Sequence, residues 1–70
     1  MKKYRDLYYV YVREQKQKRA HWHKTYTNLS DAEQEANNIY TGKQEITIRQ
    51  EWQTEKGHTG EDIVFTYKII

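Results

Sequence analysis

The sequence predicts an α+β fold of order β-β-α-β-β, with an antiparallel-rich four-stranded sheet and one helix packed on one face. Two segments with alternating apolar residues precede the only segment that carries helix caps, and two more follow it. Seventy residues are enough for one domain, so we expect a single compact domain over residues 1–70.

The first two strands are predicted from Lys3 to Arg13 and from Ala20 to Tyr26, because both segments are rich in aromatic and β-branched residues. Segment 13–19 between them has no apolar residue and no Gly-based turn signal. We therefore expect either a longer loop or a protruding two-stranded arm.

Ser30 is the predicted N-cap of the helix, and with Glu33 three residues later it matches a capping box. Asp31 adds favourable charge at the first turn, and Gly42 is expected to end the helix. One narrow apolar stripe follows the helical period and consists of Ala32, Ala36, Ile39 and Tyr40.

Two further strands are predicted at Gln44–Thr54 and Glu61–Ile70, joined by a turn over residues 55–60. One helix cannot cover both faces of such a sheet, so we expect a packed face and an open face. Alternation assigns these residues to the packed face: Tyr4, Tyr8, Val10, Val12, Trp22, Tyr26, Ile46, Ile48, Trp52, Ile63, Phe65, Tyr67 and Ile69. The open face then receives Arg5, Leu7, Tyr9, Tyr11, Arg13, His21, His23, Thr25, Thr47, Arg49, Glu51, Val64, Thr66 and Lys68.

The open face mixes Tyr and His rings with Arg and Lys, a combination suited to anchoring a protein, stacking on bases or contacting phosphates. The alternative is that its tyrosines only stabilise cross-strand pairs. Segment 13–19 is basic and is expected either to contact phosphates or to be a solvated loop. The candidate binding residues are Tyr9, Tyr11, Arg13, Lys16, Lys18, Arg19, His21, His23, Arg49 and Lys68.

Composition limits the function classes. The net charge of +2 is too balanced to indicate nucleic-acid binding by itself, although the basic residues concentrate before Ser30. The absence of cysteine excludes disulfides and thiolate metal sites, so the fold must be stabilised by apolar packing. Because aliphatic residues are few and aromatic residues make up 14% of the chain, aromatic rings are expected to build much of the core. No apolar stretch is long enough to span a bilayer, and we expect a cytoplasmic protein with no membrane partner.

Catalytic and metal sites have weak sequence support. His21 and His23, with His58 as a third ligand, lack the spacing of a zinc site, so no metal or cofactor is expected. A small ribonuclease would use His21 or His23 as acid and base, with Arg49 or Lys68 stabilising the phosphorane. No nucleophile elbow, phosphate-binding Gly loop or carboxylate pair supports an enzyme, and we expect none.

Segment 26–32, Tyr-Thr-Asn-Leu-Ser-Asp-Ala, resembles the hairpin-to-helix segment of the arm-binding domains of tyrosine integrases. Those domains place three strands before the helix and none after it, so no residue role is carried over. The small Tyr-, Lys- and Gln-rich chain also resembles accessory proteins of phages and mobile elements, including inhibitors of host defence nucleases of the anti-CRISPR type.

The leading functional hypothesis is a non-enzymatic regulator or inhibitor that occupies a surface of a larger protein or nucleoprotein complex. Direct DNA or RNA binding by the same face is the alternative, and a ribonuclease is the third. Because the final strand is apolar at an expected edge, a homodimer through the C-terminal strand is a further hypothesis.

Overall fold

A computed structural model describes residues 1–70 of the chain, with five elements. They are β1 (Lys2–Glu14), β2 (His21–Tyr26), α1 (Leu29–Ile39), β3 (Gln44–Thr54) and β4 (Thr59–Tyr67). The four strands form one antiparallel sheet in the order β2-β1-β3-β4, with α1 against one face. This confirms the predicted fold class and element order. The helix is neither long nor apolar enough to cross a membrane.

The β1–β2 connection is a loop over residues 15–20 rather than a protruding arm. Gln17 holds it against the end of β1: its backbone N–H donates to the Glu14 carbonyl over 2.9 Å, and its side-chain oxygen accepts from the Glu14 N–H over 3.1 Å. Arg13 donates from its guanidinium to the Gln17 carbonyl over 2.9 Å. These hydrogen bonds hold the first half of the loop against the end of β1.

The fully buried core is aliphatic, which corrects the expectation that aromatic rings would build much of it. Only 8 of 70 residues are buried, and the hydrophobic ones are Val10, Val12, Ala32, Ala36, Ile46 and Ile48. Half-buried rings pack around this cluster from both sides, namely Tyr8, Tyr26, Tyr40, Phe65 and Tyr67. The two helix alanines let the backbone of α1 approach the sheet closely, which leaves no room for a ring between them.

The N-cap of the helix lies two residues earlier than predicted. Asn28, in an extended conformation, is the N-cap, and its side-chain oxygen accepts from the Ser30 N–H over 2.8 Å. Ser30 therefore lies inside the first turn and no Ser30–Glu33 capping box forms. The helix ends at Ile39 with Tyr40 extended, so Gly42, at φ +90°, shapes the turn into β3 instead of ending the helix.

Each edge strand contains a bulge that inverts the alternation of side chains. In β2, Lys24 pairs with Val10 but Trp22 pairs with Tyr11, which leaves His23 as the extra residue. In β4, Phe65 pairs with Ile48 but Ile63 pairs with Arg49, which leaves Val64 as the extra residue. Bulged edges resist pairing with other strands, and dimerisation through the C-terminal strand stays a prediction.

The sheet extends beyond the N-terminus of the helix, where Tyr4 and Trp52 are opposite each other on the helix side but are not covered by α1. Tyr4 therefore lies on the face predicted for it, but it is 49% exposed and does not belong to the buried core. The Asp62 carboxylate organises this end and accepts from the Tyr4 hydroxyl over 2.6 Å, the Trp52 indole over 3.2 Å and the Lys2 ammonium over 3.3 Å. The Tyr4 hydrogen bond is the main reason that the pKa of Asp62 is lowered.

The Trp52 ring lies directly on Gly60 of β4, its cross-strand partner. A Cβ on Gly60 would be 2.3 Å from the Cζ2 atom of Trp52, much closer than two non-bonded carbon atoms approach. The ring thus covers the backbone that a glycine leaves exposed in a strand. Aromatic residues opposite a glycine stabilise other sheets in the same way.

We expect Gly60→Ala to lower the free energy of unfolding by about 1–3 kcal/mol, because the indole must leave its position. Urea denaturation of the variant and the wild type measures this loss. In a Trp52→Ala background the same substitution should cost much less, since the ring that meets the methyl group is gone. An equal cost in both backgrounds would contradict this explanation.

Candidate functional site

The face of the sheet opposite α1, called the open face below, is covered by no other element. Side chains paired directly across antiparallel strands point to the same face, so the register identifies its members. They are Trp22, Thr25, Lys3, Tyr9, Tyr11, Arg13, Glu45, Thr47, Arg49, Glu51, Gln53, Thr59, Glu61, Ile63 and Thr66.

Trp22 and Ile63 lie on the open face, and their assignment to the packed face was wrong. Trp22 is paired with Tyr11 and is 58% exposed, whereas Ile63 is paired with Arg49 and is 62% exposed. The bulges of β2 and β4 shift each of them by one position in the alternation. Both large apolar side chains therefore flank the open face from its two edge strands.

His21 and His23 were assigned to the open face, and this too was wrong. His21 pairs with Val12, a residue of the helix-side core, and the His23 imidazole contacts the Glu35 carboxylate of α1 over 2.7 Å. The bulge at His23 turns both rings to the helix side. Lys68 follows the end of β4 and has no cross-strand partner, so the register does not place it on the open face.

Tyr9 is held by the carboxylate of Glu51 on the open face. Its hydroxyl donates to Glu51 over 2.7 Å, and the Arg5 guanidinium lies 3.3 Å from the other oxygen of the same carboxylate. The hydrogen bond to Glu51, with burial second, raises the pKa of Tyr9 to about 12. Tyr9 is half-buried, so its clearest role is to brace the sheet.

Tyr11 lies across the open face from β1 to β4. Its hydroxyl donates to the Glu61 carboxylate over 3.0 Å, although β3 separates the two strands. Burial and this hydrogen bond raise the pKa of Tyr11. Thr47, its partner on β3, is only 7% exposed because long side chains lie flat over the sheet here.

Arg49 is the cation at the centre of this face. Its guanidinium carbon lies 4.5 Å from the centroid of the Tyr11 ring, a cation–π distance. The Nε atom is buried and has no hydrogen-bond partner, and Arg49 belongs to none of the four ion pairs. The carboxylates of Glu51 and Glu61 are occupied by other side chains, which leaves this guanidinium without an anionic partner.

The remaining candidate residues form the end of the β1–β2 hairpin. Arg13 is on the open face and is paired with Glu45 over 3.4 Å. Lys16, Lys18 and Arg19 belong to the exposed loop and form no ion pair. This group is continuous with the open face only through Arg13 and Trp22.

The structure does not bring together the residues that a ribonuclease would need. His21 and His23 are on the helix side, whereas Arg49 is on the open face, so the sheet separates the expected acid and base from the expected cation. No three His, Asp or Glu side chains converge in a way that could hold a metal ion, and the absence of a metal or cofactor stays a prediction.

One open cleft of about 490 Å³ lies elsewhere, between the first residues of β1 and the end of β3. Lys2, Lys3 and Arg5 line it from one side and residues 53–55 from the other. Lys2 and Arg5 are already paired with Asp62 and Glu51, so most of its positive charge is neutralised.

Comparison with known proteins assigns no function to these surfaces. No family model, curated protein or solved structure matches the chain. The structure has two strands before α1 and two after it, so the resemblance to integrase arm-binding domains does not extend to the fold.

The hydrogen bond of Tyr9 predicts a specific alkaline sensitivity. A phenol has a pKa of about 10 in an unfolded chain, and the folded value is about 12. Because folding favours the protonated phenol, this contribution is fully present below the unfolded pKa and is lost as the pH rises through the folded one. We expect the unfolding free energy of wild type to fall more steeply in this pH window than that of Tyr9→Phe.

Urea denaturation at stepped pH measures the two slopes. Tyr26→Phe is the matched control, since the Tyr26 ring also packs on the sheet but its hydroxyl makes no hydrogen bond to another side chain. If Tyr9→Phe keeps the wild-type pH dependence, the Tyr9–Glu51 bond does not contribute as described.

Proposed function

We propose that this protein is a non-enzymatic binding protein whose open face docks on another protein. The observation that carries the proposal is the exposure of Trp22 and Ile63 on either side of the Arg49–Tyr11 pair. Three strand spacings of about 4.8 Å separate β2 from β4, so these side chains span about 14 Å. Trp, Tyr and Arg are the residue types that contribute most to protein interfaces.

Arg49 favours a partner that brings a hydrogen-bond acceptor to this surface. Its guanidinium belongs to none of the four ion pairs, so its terminal amino groups can donate to an acceptor that a partner provides. A partner carboxylate or backbone carbonyl placed beside the Tyr11 ring would provide that acceptor. The ring already limits the motion of the guanidinium, so little further ordering is needed on docking.

The charge pattern favours a protein over a nucleic acid as the partner of the open face. Its cations alternate with the carboxylates of Glu45, Glu51 and Glu61. A phosphate backbone laid across this face would meet these carboxylates as well as the cations. A protein surface with charges of both signs can instead be complementary to it.

A role without catalysis agrees with the same geometry. In the site we propose, Tyr9 and Tyr11 are hydrogen-bonded to glutamates and Arg49 is stacked on the Tyr11 ring. The site contains no histidine. The molecule is a thin slab of 39 × 25 × 16 Å. A slab that presents one broad face would regulate or inhibit a larger complex by covering its surface, as expected for a phage-type accessory protein.

Site-specific photo-crosslinking tests this proposal. A photo-reactive amino acid at Ile63 or Thr66 on the open face should yield adducts with one protein in a lysate of the source cells, before and after nuclease treatment. The same amino acid at Gln34 or Asn38, exposed on α1, should not yield that adduct.

The identified partner then allows an affinity measurement. We expect Arg49→Ala to weaken binding by at least about tenfold, because it removes a stacked guanidinium at the centre of the interface, and Arg49→Lys to restore little of it. Gln34→Ala is the control. Adducts formed equally from both faces, or wild-type affinity in Arg49→Ala, would refute docking by the open face.

A further inference from the structure

We propose that the end of the β1–β2 hairpin is a second binding site, specific for single-stranded nucleic acid, which shares only Trp22 with the open face. Its members are the loop cations Lys16, Lys18 and Arg19 together with the indole of Trp22. This proposal does not depend on protein docking by the open face, because it rests on the charge of the loop and on one ring at its border.

The loop cations are not neutralised within the fold. Between residues 13 and 24 the only acidic residue is Glu14, and none of Lys16, Lys18 and Arg19 takes part in the four ion pairs. The neighbouring carboxylates of Glu45 and Glu35 are taken by Arg13 and His23. Positive charge is therefore concentrated here, unlike on the open face, where carboxylates alternate with the cations.

Trp22 supplies a stacking surface beside these cations. The indole is 58% exposed, and its Nε1–H donates to the Thr25 hydroxyl over 2.9 Å. This hydrogen bond satisfies the only polar atom of the ring and fixes its orientation along β2. An exposed ring with no unsatisfied polar group is suited to contact with the face of a nucleobase.

The spacing of the two features matches a single strand. Arg19 and Trp22 are three residues apart, a separation of at most about 10 Å. One short strand can therefore place a phosphate on the loop and stack a base on the indole. A duplex cannot do both, because its bases are stacked on one another and unavailable to a side chain. DNA and RNA share the required chemistry.

Fluorescence anisotropy of a labelled oligothymidylate and a labelled oligouridylate tests the site over about 50–200 mM salt. We expect wild-type affinity to fall steeply with salt. The variant K16A/K18A/R19A should reduce the slope of log affinity against log salt by about 2, since each lost contact with a single strand removes about 0.7. Trp22→Ala should weaken binding by about tenfold without changing that slope.

The matched control is K43A/K56A/K68A, which removes the same charge from three exposed lysines that form no ion pair. It should bind almost as tightly as wild type. Thermal melts establish that every variant is folded.

The proposal would be overturned if wild type did not bind either oligonucleotide at the lowest salt concentration, or if the two triple variants lost the same affinity. It would also be overturned if a duplex bound as tightly as a single strand. A last contrary result is that heparin binds as tightly as the oligonucleotides and that Trp22→Ala does not weaken heparin binding. The open-face crosslinks at Ile63 and Thr66 are unaffected by any of these outcomes, so the two proposals fail separately.

Discussion

The structure depends on one short helix covering one face of a much longer sheet. Eleven helical residues span about 16 Å, whereas the 13 residues of β1 belong to a sheet in a molecule 39 Å long. The buried core is therefore confined to the part of the sheet under Ala32 and Ala36. Everywhere else the sheet must be stabilised by contacts between neighbouring side chains on surfaces that water reaches.

Tyrosine–carboxylate hydrogen bonds perform this task on both faces. Asp62 ties together the uncovered end on the helix side, while Glu51 and Glu61 hold Tyr9 and Tyr11 flat on the open face. Neutral phenols can donate to carboxylates without adding positive charge. Because these carboxylates accept from tyrosines, none of them pairs with Arg49. The hydrogen bonds that stabilise the sheet are therefore also the reason that Arg49 is free to bind an acceptor in the proposed interface.

Alternation of residue types was enough to predict the element order and to place Val10, Val12, Ile46 and Ile48 on the packed face, because these residues lie in regular stretches of β1 and β3. It failed for Trp22 and Ile63. One extra residue in a strand inverts every later face assignment, and a bulge has no fixed sequence signature. A weak signal existed in β4, since Ile63-Val64-Phe65 is apolar at three successive positions and fits either phase. The N-cap was misplaced for a similar reason, because Asn28 and Ser30 are both good caps.

The two bulges also connect the edges of the sheet with its proposed function. With an unbroken alternation, Trp22 and Ile63 would point to the helix side. The bulges instead place both side chains on the open face beside Arg49 and Tyr11, and they make each edge strand irregular. An irregular edge is a poor template for strand addition, so the faces of the sheet are better suited than its edges to bind a partner. Trp22 lies where the mixed-charge open face meets the basic hairpin end, so the two sites that we propose are adjacent.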